Sequence, residues 1–320
     1  DELLSLERDL PESEDWYRET DDEVPYRYDG YKKTRQSYFV PLILFILTII
    51  TTLIAGAMQQ GINPFANPEK IYLGFPFSLT LMSILLSHEM GHYLTSKMHG
   101  VDATLPFFIP APPIPFIIGT LGAFIKMRSP IMNRKALIDI GASGPLAGFV
   151  VSIVATYIGL QMSQIVPGEI TGGFNFGSSL IFNGVAYLAL GSIASNPDIT
   201  IVLHPIAFAG WIGFFVTSLN LLPIGQLDGG HITYAVLGKK HHLISFIMTS
   251  ILITFGILGI LGIFGWPGWL MWGILVSFLG LRHPPIMDDS SPLDMKRRVI
   301  GWLSLLVFIL TFIPLPFFVS

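Results

Sequence analysis

Two histidines and a glutamate stand together at His88-Glu89-Met90-Gly91-His92, within a largely apolar stretch, residues 75–98. On a helix His88 and His92 fall at i and i+4, one above the other on a single face. Two imidazoles so placed can hold one zinc ion, and Glu89 beside them can serve as general base toward a metal-bound water. Zinc there would acidify the water and polarise a carbonyl about to be attacked. The pattern is short enough to arise by chance, but charged groups in an apolar span cost on the order of a few kcal/mol each. Residues that costly face a partner or a cavity and are functional hypotheses by default.

A catalytic zinc site needs a third protein ligand and an open position. The chain has no cysteine, so His, Asp or Glu must supply that ligand. Besides Glu89, the carboxylates within or at the ends of apolar segments are Asp139 and Asp228. Asp139 lies near the start of its segment and reads as an interfacial or helix-start acid. Asp228 follows Asn220-Leu221-Leu222-Pro223-Ile224-Gly225-Gln226-Leu227 and precedes Gly229-Gly230-His231. Pro223 and Gly225 break a helix there, and the glycine pair permits tight turns. An acid on such an unwound stretch can point across a bundle toward a metal. The expected set is therefore one zinc per chain on His88, His92 and Asp228, with Glu89 catalytic. His231 is a candidate for a supporting role around the metal. His99, His204, His241, His242 and His283 lie at segment ends or in loops and read as interfacial.

These residues need a scaffold that crosses a bilayer. The 320 residues are 51% hydrophobic and only 12% charged, with a mean hydropathy of +0.62. A soluble domain carries about 25% charged residues. The few acids are unevenly spread: 12 of the 22 lie in the first 29 positions. This predicts an acidic, partly disordered cytoplasmic tail over 1–36 and a membrane domain over 37–320. A spanning helix needs roughly 20 apolar residues. Candidate spans are 38–57, 75–98, 136–160, 201–222, 243–264, 266–281 and 299–318. Segment 179–193 is short and Gly-containing, and reads as a re-entrant element or half of a hairpin. The fold class is therefore an all-α polytopic membrane protein, a bundle of about seven helices with a small membrane-associated hairpin. Lys32, Lys33 and Arg35 precede the first span, and later basic clusters fall on the same side, with Lys70 alone on the other. By the positive-inside rule this places the N-terminus in the cytoplasm and the protein in the cell membrane. Trp211, Trp266, Trp269, Trp272 and Trp302 lie near span ends and suit aromatic belts. A net charge of −4 excludes nucleic acid as a partner, leaving the lipid bilayer and a protein substrate within it.

After the segment that carries His88 and His92 comes a Pro-rich stretch. Pro106, Pro110, Pro112, Pro113 and Pro115 forbid a stable helix, and residues 119–126 read as a strand. A transmembrane substrate hides its carbonyls in its own helical hydrogen bonds, so it must unwind before it can be cut. Unwound backbone in lipid needs new partners at once, and an exposed strand edge supplies them. Gly119, Thr120, Leu121, Gly122, Ala123 and Phe124 are the expected substrate-binding edge.

With these residues in view, the chain resembles the site-2 protease family of intramembrane zinc metalloproteases, of the type lacking a PDZ domain. His88-Glu89-Met90-Gly91-His92 resembles the family's zinc helix, and Gly144-Pro145-Leu146-Ala147-Gly148 its Gly-Pro patch. Asn220 through Gly230 resembles its N-x-x-P and L-D-G segment. These core motifs occupy residues 75–231, about half the chain. The resemblance implies His88, His92 and Asp228 as zinc ligands and Glu89 as base. It also implies that Asn220 bonds the substrate or the developing oxyanion, and that 105–128 forms a hairpin near the site. The expected function is hydrolysis of peptide bonds in transmembrane substrates, that is, regulated intramembrane proteolysis. The alternative is an intramembrane His/Asp metal-ion transporter. A transporter has no need of Glu89 as a base, and no paired inverted repeats are visible.

Overall fold

The computed structural model describes residues 37–114, 118–168, 174–284 and 286–319. The acidic segment 1–36 and Pro115 lie outside the described residues. In chain order the elements begin with α1 (Phe39–Gln59), a 3-10 turn (Pro68–Gly74), α2 (Phe75–Met98), β1 (Phe107–Pro110), β2 (Thr120–Phe124) and α3 (Arg134–Gln161). Then come β3 (Gln164–Pro167), β4 (Phe174–Phe176), α4 (Leu180–Leu190), β5 (Ile199–Val202) and α5 (Pro205–Asn220). The chain continues with α6 (Asp228–Leu237), α7 (His241–Ile260), α8 (Gly268–Leu279), α9 (Met295–Thr311) and β6 (Phe317–Val319). The strands form three antiparallel pairs, β1 with β2, β3 with β5, and β4 with β6.

Among the described residues four helical segments are long and apolar enough to cross a membrane: Phe39–Gln59, Pro68–Met98, Arg134–Gln161 and Asp228–Ile260. Several other expected spans are shorter as helices. Residues 199–202 are drawn into β5, and the helix starts only at Pro205, with the His204 side chain accepting from the Ile206 N–H. Proline at a first helical position fits because its missing N–H is not needed there. The segment 266–281 yields the 12-residue α8. The last segment ends as a helix at Thr311, and the proline-bearing residues beyond it lead into β6.

The outer helices α1 and α7 pack in the inverse sense to a surface helix of a soluble protein. The buried face of α1 is small or polar, with Thr48, Thr52, Ala55, Gly56 and Ala57 inside. Its large residues Phe39, Leu42, Ile46 and Ile50 are exposed. The outside of α7 is alike, with Leu243, Phe246, Ile247 and Ile251. Hydrocarbon tails are as apolar as leucine, so large apolar groups gain little by moving inward, and small residues let backbones meet. Thr52 Oγ1 and Ser78 Oγ, 2.7 Å apart, join α1 to α2.

Helix α3 is the hub. Its buried stripe runs Gly141, Gly144, Gly148, Ser152, Ala155 and Gly159, a one-face helical spacing. α2 and α6 lie against its first half and α5 against its second. Trp211 and Trp269 are fully buried in this core rather than in an interfacial belt, and their indole N–H groups donate to the carbonyls of Gly177 and Pro314. A belt tryptophan leaves its N–H for water or headgroups; these two have carbonyl partners inside the protein. Trp302 is exposed.

A Cβ at Gly159 would fall on the backbone of Ala207, where neither helix can yield without moving. Gly159→Ala should cost about 1–3 kcal/mol by overpacking the α3–α5 contact. The check is a lowered midpoint in detergent unfolding; an unchanged midpoint would mean that the contact is loose.

Candidate metal centre

Helix α2 presents His88 and His92 to α3, whose glycines make room for them. A Cβ at Gly144 would strike the His92 ring, and one at Gly148 would stand 3.3 Å from His88 Cβ. Gly91 on α2 faces Ser143 and Gly144 just as closely. The Gly-Pro patch is thus the floor beneath the two imidazoles. His92 Nδ1–H donates to the Ile140 carbonyl at 2.7 Å. That bond fixes the ring and leaves the Nε2 lone pair available as a donor to a metal.

The third donor arrives from a broken helix. α5 ends at Asn220, and the chain then turns through Pro223 and Gly225, the latter at φ +52°, where an L side chain would be strained. Leu227 in extended backbone precedes α6, whose first residue is Asp228. Asp228 therefore opens a short helix rather than lying on the unwound stretch itself, which is residues 221–227. Gly229 and Gly230 sit against the carbonyls of Leu221, Leu222, Ile224 and Gly225, so no side chain fits at either place. Ser245 on α7 fastens the loop: its hydroxyl donates to the Pro223 carbonyl and accepts from the Gly225 N–H, both at 3.2 Å.

The three donor atoms converge. His88 Nε2 and His92 Nε2 are 3.1 Å apart. Asp228 Oδ2 lies 3.2 Å from His92 Nε2 and 3.4 Å from His88 Nε2. Donors about 2.0–2.1 Å from a tetrahedral zinc stand about 3.3 Å from one another. The set therefore fits three corners of a zinc tetrahedron, and it is the one such His/Asp group found among the described residues. Glu89 is buried beside it, 5% exposed, and the backbone N–H of Ile125 lies close to its carboxylate. Asn220 Nδ2 lies 3.3 Å from His88 Nε2. Ile125 directly follows β2, so the strand of Thr120, Leu121, Gly122, Ala123 and Phe124 runs beside Glu89. Gly119 precedes it at φ +77° and packs on Thr51 of α1. β2 pairs with β1 on one side, Phe107 opposite Phe124 and Phe108 opposite Ala123; among the described residues no strand pairs with its other edge.

Several polar residues have partners that one-residue spacing did not disclose. Asp139 accepts from His99 Nε2 and from Arg297, so it is an ion-pair acid rather than a helix-start one. His231 lies outside the ligand set, and its Nδ1 is 2.7 Å from His283 Nε2, whose ring stacks on Tyr234. Burial holds the His283 imidazole below its ordinary pKa. His241 Nε2 meets Ser245 Oγ at 3.0 Å, an i,i+4 pair on α7 that helical spacing alone could have suggested. The pairs His99–Asp139 and His231–His283 join distant segments and leave no local signal.

Site and scaffold together define a class: a mostly helical chain with membrane-length apolar helices, built around a His/His/Asp group that could hold a metal, with an adjacent buried glutamate. The sequence profile of peptidase family M50 matches residues 76–263, and the chain belongs to that family. It is 32% identical over 309 residues to a rice protein named probable zinc metalloprotease EGY1, chloroplastic (Oryza sativa subsp. japonica), covering 88% of this chain and 51% of the relative. The Arabidopsis thaliana protein of the same name is 29% identical, covering 88% of this chain and 54% of the relative. The Arabidopsis protein named probable zinc metalloprotease EGY2, chloroplastic, is 28% identical, covering 86% and 48%. The chain thus spans about half the length of the curated relatives it matches. No solved structure matches it.

His88→Ala, His92→Ala and Asp228→Ala should each deplete bound zinc, measured per chain by elemental analysis of purified protein. Gly144→Ala should weaken zinc affinity by about tenfold or more, because it displaces the His92 ring. Wild-type zinc content in all four would remove this site as the metal centre.

Proposed function

We propose that this chain is an intramembrane zinc metalloendopeptidase that cuts transmembrane protein substrates. The observation that carries the reading is the convergence of His88, His92 and Asp228 on one point, with Glu89 and the free edge of β2 beside it. Membership of a peptidase family supports it, as do relatives named as zinc metalloproteases. Nothing in the family match or among these relatives favours a transporter.

His88, His92 and Asp228 would hold zinc, which when bound acidifies water and polarises a scissile carbonyl. The chain's own groups do the rest. Glu89 takes a proton from the attacking water and returns it to the leaving amine. The backbone N–H of Ile125 lies close to this carboxylate. Asn220 donates toward the oxyanion as charge develops there. Gly119 through Phe124 receive the unwound substrate by strand addition, a mode that depends on backbone more than on side chains.

The topology we favour has about seven crossings, the shorter helices completing the set, and a hairpin at membrane depth next to the metal. Residues 37–320 then form the membrane domain, and residues 1–36 an acidic tail on the basic-rich side. That side would be cytoplasmic in a cell membrane. The relatives are named as chloroplastic, which favours a chloroplast membrane over the cell membrane expected from the sequence.

Glu89→Gln should keep zinc and fold while cleavage of a transmembrane peptide falls by roughly a hundredfold or more. Cleavage by this variant at the wild-type rate would remove Glu89 as the base. Acidification should lower zinc occupancy and activity together, since metal ligands must be deprotonated.

Substrates carrying a helix breaker should be cut faster than matched helical ones. Ala123→Pro should slow both without emptying the metal site, because proline removes a strand donor. Equal rates on the two substrates, with an unimpaired proline variant, would eliminate strand addition.

A further inference from the structure

We propose that Asp139 is a positioning residue for His92, held in that role by Arg297 of α9. The inference rests on the peptidase reading and deepens it. His92 Nδ1 donates to the carbonyl of Ile140, and Asp139 is the preceding residue of α3. His99 lies seven residues after His92, two turns further along the same face of α2. Its Nε2 donates to Asp139 Oδ2 at 2.9 Å. α2 is therefore fastened to α3 at two successive points, one on the metal-ligand ring and one at the helix end. Any slide or rotation of α2 that carried His92 Nε2 away from the other donors would break both bonds.

Arg297 closes the arrangement from a third helix. Its Nε and Nη2 donate to the same Asp139 oxygen at 2.9 and 2.6 Å, and Nη1 reaches Asp294. Asp139, Arg297 and His99 side chains are 17%, 24% and 25% exposed, so the charges are partly withdrawn from water and interact more strongly than a surface pair. An acid merely suited to a helix N-terminus would sit in the first turn; Asp139 lies past it, five residues beyond Arg134. α9 also lies outside residues 76–263 matched to the family. The geometry of the metal centre is in this way tied to a helix beyond the family's shared core.

The test uses the full chain in lipid nanodiscs, with zinc affinity from chelator competition, kcat and KM on a transmembrane peptide, and a thermal midpoint. Arg297→Ala and Asp139→Asn should each weaken zinc binding and lower kcat by about tenfold, the scale for losing support behind a metal ligand, with KM unchanged. Arg297→Lys should restore part of both. Val307→Ala, which opens a cavity in the buried face of α9 and leaves the clasp intact, should lower the midpoint only. The proposal is overturned if Arg297→Ala and Asp139→Asn behave as Val307→Ala does, less stable but with wild-type zinc affinity and kcat. Should Arg297→Ala fail to fold, Asp139→Asn and Arg297→Lys carry the same comparison. A wild type that binds zinc and cleaves nothing would remove the peptidase reading, while zinc affinity across the variants would still decide the clasp.

Discussion

The close approach of α2 to α3 is the contact on which the rest depends. Gly144 and Gly148 repeat at i,i+4 on α3, and His88 and His92 repeat at i,i+4 on α2. The two periods match, so each imidazole lies over a position with no side chain. Apolar burial does little to hold helices together in lipid, and backbone proximity and hydrogen bonds must do it instead. The same absence of side chains that brings the helices together therefore also makes the space in which a metal site can form. A single methyl group at Gly144 acts on both at once.

Lipid also dictates how the third donor is delivered. A bilayer tolerates broken helix only where the freed backbone groups find partners inside protein. The stretch between α5 and α6 meets that demand through Ser245, whose hydroxyl serves both the Pro223 carbonyl and the Gly225 N–H. The glycine pair after Asp228 lets the new helix nest on the loop's own carbonyls. Once the loop is held, the Asp228 carboxylate has little freedom, and its place opposite the histidines is set by α7 as much as by α5 and α6.

The β1–β2 pair occupies the opposite flank. α1 supports it: Phe45 packs edge-on against Phe108, and Thr51 lies against Gly119. The backbone N–H of Ile125 then lies close to Glu89. A glutamate in an apolar helix would cost several kcal/mol without partners. Here the backbone just beyond β2 lies beside it, so the strand proposed to receive substrate ends next to the proposed base.

The sequence by itself determined the membrane class, the limits of α2, a strand within 119–126 (observed over 120–124) and the identity of the converging donors. Each of these is written in local terms: an apolar run, a helical repeat, a cluster of prolines, a carboxylate too costly to sit in lipid without purpose. It also overextended the fourth and sixth apolar segments, because hydropathy averages over residues and does not register that 199–202 pair with β3. Only the tertiary structure decided that Trp211 and Trp269 belong to the core, that His99 and Arg297 share Asp139, and that His231 meets His283. These are contacts between segments 34 to 158 residues apart. Their partners are chosen by how helices cross, and helix crossing in lipid is set by small residues packing in three dimensions rather than by any pattern along one strand of sequence.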